Sequence, residues 1–118
     1  MSRKDWTPEL LDTSEKLEKA LDEMASREAF YAEKRMDAAV SEHTYKVKRA
    51  VELHKAEGTI KDKEAAAEIA CELESLKRLT ADAESDIAKE KLLDVRAAVS
   101  ARQSILNAET RTGAAFGG

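Results

Sequence analysis

Apolar residues recur along this chain at steps of three and four, in two runs with one glycine between them. The first run passes Leu10, Leu17, Leu21, Ala25, Ala29, Ala32, Met36, Val40, His43, Val47 and Ala50. The second passes Ala66, Ile69, Leu73, Leu76, Thr80, Ala83 and Ile87, then Leu92, Val95, Val99 and Leu106. Such spacing puts each run on one helix face. Pro8 is the only proline and Gly58 the only glycine before Gly113, so neither run contains a breaker. Proline suits the first turn of a helix, and glycine suits the position just past a helix end. The pattern predicts an all-α chain folded as a long antiparallel, coiled-coil-like hairpin. Its parts are a lead at 1–7, helices over about 8–56 and 60–110, and a flexible tail at 111–118.

End signals agree with that division. Thr7 is placed to cap the first helix, with Glu9 and Asp12 at the positive end of its dipole. Thr59 is placed to cap the second, and Asp62 three residues on completes a capping-box-like pair. Folding about Gly58 should pair residues whose numbers add to a constant. Val47 with Ile69, Val40 with Leu76, Leu21 with Val95, Leu17 with Val99 and Leu10 with Leu106 all add to 116. Each stripe slips phase once, near residues 25–32 and 83–92, and the two slips face each other in that register. The rival reading breaks the second helix near Leu79-Thr80-Ala81-Asp82, giving a compact three-helix bundle.

A two-helix hairpin buries one stripe per helix, yet further apolar residues such as Ala38, Ala39, Leu53, Leu79 and Leu93 widen the face. The simplest use for that surplus is a second copy, so a homodimer forming a four-helix bundle is expected. Composition favours long solvated helices: charged residues make up 37% of the chain and aromatics 4%. The net charge is −4, divided equally between the two halves, so no basic arm draws the chain to nucleic acid. Cys71 is the sole cysteine, which excludes an intrachain disulfide and points to a reducing compartment, the cytoplasm. No apolar run approaches the ~20 residues of a membrane span.

Candidate chemistry is sparse. His43, His54 and Cys71 lack the short spacings of a zinc site, and no glycine-rich phosphate loop or nucleophile–histidine–acid signature occurs. His43 is expected in the seam. Neither an enzyme, a metal nor a cofactor is expected. Trp6, Phe30, Tyr31 and Phe116 are the candidate partner-binding residues, because aromatic side chains dominate binding hot spots. Phe30 and Tyr31 adjoin, so only one of them can point inward. A locally basic tip supplies a nucleic-acid alternative: Lys46, Lys48, Arg49, Lys55, Lys61 and Lys63 to meet phosphates, with Tyr45 to stack on a base. Interleaved Glu42, Glu52, Glu57, Asp62 and Glu64 weigh against it.

The pieces Tyr45-Lys46-x-x-Arg49-Ala50, Ala56-Glu57-Gly58-Thr59, Lys63-Glu64-Ala65, Leu79-Thr80-Ala81-Asp82 and Arg96-x-x-x-Ser100-Ala101-x-Gln103-Ser104 carry a resemblance. From Lys46 to Asn107, roughly half the chain, the sequence resembles a family of small helical bacteriophage proteins. The resemblance implies a phage origin among early, DNA-metabolism genes and a place in the host cytoplasm. It supplies no catalytic residues. Taken with the missing active site, it implies a non-enzymatic protein-interaction module. Such a module would inhibit or adapt a DNA-metabolism or host-defence complex, for example a CRISPR effector or a nuclease. The alternatives are a nucleic-acid-binding accessory of phage recombination or replication, and a purely structural coiled coil.

Overall fold

The computed structural model describes residues 5–116, with side chains through Thr112. The chain is an antiparallel helical hairpin of three helices, α1 Pro8–Lys55, α2 Ile60–Ala70 and α3 Glu72–Phe116. No strand occurs among the described residues. Thr7 caps α1 by accepting a hydrogen bond from the Leu10 N–H at 3.2 Å. At the turn, Gly58 takes a φ of +107°, a region that side-chain-bearing residues avoid. Thr59 Oγ1 then accepts from the Asp62 N–H at 3.2 Å, and Asp62 Oδ2 accepts from the Thr59 N–H at 3.2 Å. This is the reciprocal capping box that starts α2.

The second arm is not one uninterrupted helix. Cys71 departs from helical geometry with φ −102° and ψ 12°. The interruption lasts one residue: the Cys71 N–H still donates to the Ala67 carbonyl, and the Cys71 carbonyl accepts from the Ser75 N–H. Thr80 and Asp82 lie inside α3, so the alternative break near residues 79–82 does not occur. At its other end α3 is helical through Phe116, past the end expected near Thr110.

The hairpin divides into two compact units, Met1–Ala29 with Glu90–Gly118, and Phe30–Lys89. These boundaries fall where the two apolar stripes slip phase. In the first unit the seam is apolar. Leu10, Ala20, Leu92 and Val99 are buried, with Leu17, Met24, Val95 and Leu106 half-buried beside them. Burying a side chain the size of leucine contributes about 1.5–3 kcal/mol. Thr13 Oγ1 donates to Glu109 at 2.9 Å, and Arg96 pairs with Glu28 at 3.5 Å.

In the second unit the seam is small and polar. Half-buried Tyr31, Lys34, Ala38, Ser41, Tyr45 and Lys48 on α1 belong to the same inward row as Ala67, Cys71, Glu74, Arg78, Ala81, Ser85 and Ala88 on the other arm. Steps of four and three alternate strictly in both sets, which is the 3.5-residue repeat of a coiled-coil seam. Ala67, Cys71 and Ala88 are this unit's fully buried apolar residues, and none is larger than cysteine. Small side chains allow the helices to approach, while long polar ones lie across the gap.

Two sequence expectations are therefore corrected. Cross-arm pairs add to 118 for Lys34–Glu84, 122 for Thr13–Glu109 and Lys48–Glu74, 123 for Tyr45–Arg78 and 124 for Arg96–Glu28, so the register lies above 116. In the second unit the expected inner stripe is exposed: Met36, Val40, His43, Val47 and Ala50 on α1, and Ile69, Leu73, Leu76, Thr80, Ala83 and Ile87 on the other arm. The cause is a difference in period. From Leu17 to Met36 the apolar stripe takes five steps over nineteen residues, while the seam keeps a step of 3.5. By Met36 the stripe stands two residues past the seam position Lys34, roughly 200° around the helix.

Candidate functional site

The side chains of the second unit lie in two layers. The inner layer is the polar seam. Lys48 Nζ donates to Glu74 Oε1 at 2.9 Å, and the Arg78 guanidinium stacks 4.4 Å from the centre of the Tyr45 ring. The hydrogen bond from Lys48 holds the Glu74 carboxyl below its ordinary 4.5. The same bond, with the Glu74 charge, raises Lys48 above its ordinary 10.5 against a smaller opposing effect of desolvation. Glu74 Oε2 and Arg78 Nε are buried without a hydrogen-bond partner within the chain.

The outer layer is apolar. Ile69 is 76% exposed, Met36 64%, Leu76 61% and Leu73 58%. Each half of this surface comes from one arm, and each repeats at alternating steps of four and three. Each stripe position stands two residues after a seam position: Ala38 and Val40, Tyr45 and Val47, Ala67 and Ile69, Glu74 and Leu76. An offset of two residues turns a side chain roughly 200° about the axis. Both stripes thus lie on the flanks of the arms facing away from the intrachain seam.

The structure scatters the candidate nucleic-acid residues. Tyr45 and Lys48 are engaged in the seam with Arg78 and Glu74. Lys46 is paired with Glu42 at 3.1 Å on its own helix, and Arg49 is half-buried. Lys55 and Lys61 are exposed at the tip, and Lys63 is half-buried. Among the partner-binding candidates, Phe30 is exposed with the Lys34 ammonium 5.4 Å from its ring centre, and Tyr31 turns into the seam. Trp6 is half-buried before α1, and the Phe116 side chain lies outside the described residues. His43 is exposed on the outer stripe rather than in the seam, whereas Cys71 is fully buried. The described residues hold no cluster of histidine, cysteine and carboxylate side chains suited to a metal.

Grooves along the described helices are open to solvent. One of about 320 Å³ in the first unit is lined by Lys16, Lys19, Glu23, Asp94 and Arg102. Another of about 230 Å³, lined by Val40, Ser41, Thr44, Glu74 and Lys77, borders the outer surface of the second unit. No described helix is long and apolar enough to cross a membrane. The exposed double stripe is the feature that sequence reasoning placed wrongly. Its signal was the lengthened step between Leu17 and Met36. No family model matches the chain, no curated protein matches it, and no solved structure matches it.

Proposed function

We propose that this protein is a non-enzymatic interaction module that docks onto protein through the outer apolar stripes of its second unit. One observation carries the reading: in residues 30–89 most large aliphatic side chains are exposed, while the fully buried apolar residues are small. An exposed apolar stripe along a helix is a usual mark of a protein-binding face, and here each arm carries one. Engagement of Tyr45, Lys46 and Lys48 with neighbouring side chains of the same chain favours protein over nucleic acid as the partner.

The test compares the tagged wild type with the Val40→Asp, Leu76→Asp double variant. Both positions are exposed, so circular dichroism should report the same helix content. Wild type should retain a stoichiometric protein partner, either another copy or a second protein, and the variant should lose it. A variant that retains everything the wild type retains overturns the reading. So does nucleic-acid binding at low salt that is abolished by Lys48→Glu with Arg49→Glu.

A further inference from the structure

We infer that the two outer stripes of the second unit meet between copies of this chain, α1 of one copy against the second arm, α2 and α3, of another. This inference rests on the docking reading and names its partner. The stripes have the same period and nearly the same length. On α1 the positions are Met36, Val40, His43, Val47 and Ala50, and on the other arm they run from Ile69 to Ile87. One stripe is built largely from small and medium side chains and the other largely from leucine and isoleucine, so knobs on one find room on the other. The hairpin turns both stripes away from their own seam, and only a second molecule can bring such stripes together.

Nine large apolar side chains of this unit are 44–76% exposed, Met36, Val40, Val47 and Val51 on α1 and five more between Ile69 and Ile87. One contact draws the four from one copy and the five from the other; at roughly 100 Å² each this is about 900 Å² over both partners, a small interface beside the ~1,600 Å² total of a standard one, and a copy that uses both stripes makes two such contacts.

Charge identifies the pairing. In an antiparallel contact between stripes, paired residue numbers again add to about 116, the constant that the apolar pattern alone suggests. That register sets Val40 against Leu76 and Val47 against Ile69. The flanking positions then match on both sides: Asp37 faces Lys77 on one, and Lys46 and Glu72 lie opposite on the other. Between the latter and the end of the stripe, Ala39 meets Leu79. Opposite charges beside an apolar seam choose partner and orientation in paired helices. Asp37, Lys77, Glu72 and Lys46 are all exposed in the single chain, and Lys46 also pairs with Glu42 at 3.1 Å on its own helix. The contact joins different surfaces of the two copies, so the assembly closes as a dimer or a larger ring, or grows open-ended.

Disulfide trapping tests the inference. Two full-length variants are made, both with Cys71→Ala, one carrying Val40→Cys and the other Leu76→Cys. Mixed and oxidised, they should give a crosslinked pair containing one of each; each variant alone should give little. Crosslinking of Val40→Cys only to itself overturns the pairing, as does the absence of any crosslink in variants with wild-type helix content. A charge exchange gives an independent readout that needs no cysteine. Asp37→Lys should weaken association about two- to fivefold, and adding Lys77→Asp should restore it. Failure of that rescue overturns the register. A chain that stays monomeric but holds a different protein through Val40 and Leu76 defeats this inference and leaves the docking reading intact.

Discussion

At the residue scale, the turn is held by two local devices that can be removed singly. Thr59 and Asp62 exchange hydrogen bonds at 3.2 Å, which satisfies two backbone donors at the start of α2. Thr59→Ala should lower stability by about 1 kcal/mol, read as a shift in the urea midpoint at unchanged slope. Glu74 is the residue whose protonation matters most. Its carboxyl is held below 4.5, so the stabilisation it supplies is complete above that value and fades as pH falls through the lower folded value. Lys48 behaves in the opposite sense, contributing below 10.5 and losing its contribution as pH rises through its raised folded value. Glu74→Gln should therefore be less stable than wild type near neutral pH, and the gap should close in acid. Urea unfolding at neutral pH and well below 4.5 checks it; a gap that stays constant removes the ion pair from the account.

At the element scale, the caps and the turn were legible in the sequence, and the seam was not. Thr7, Pro8, Gly58 and Thr59 act locally, so a few neighbouring residues suffice to read them. The seam depends on which of two repeating rows faces the other arm. Both arms carry two rows at coiled-coil spacing, and counting apolar residues selects the wrong one in residues 30–89. Small residues decide the matter there: Ala67 and Cys71 are wholly buried, and a large residue at either position would hold the arms apart. Ala67→Leu should destabilise the chain by about 1–3 kcal/mol through overpacking, whereas Ala65→Leu, at an exposed position of the same helix, should be close to neutral. Equal effects would mean that Ala67 is not in the seam. The break at Cys71 left no mark in the sequence, since cysteine carries no stop signal of the kind glycine or proline gives.

At the scale of the whole molecule, the second unit has no apolar core of its own beyond small side chains. Its large aliphatic residues lie on the outer flanks of the arms, and the proposed contact with another copy rests on their period and flanking charges. The constant of 116 is not the register of the hairpin; the contact proposed between copies takes it up for the outer stripes of the second unit alone. Sedimentation equilibrium of the full chain at micromolar concentration tests this most directly. Wild type should sediment at a whole multiple, two or more, of 13.0 kDa, and Leu76→Asp should fall to 13.0 kDa with its helix content unchanged. A wild type that sediments as a stable 13.0 kDa species at every concentration would contradict the account.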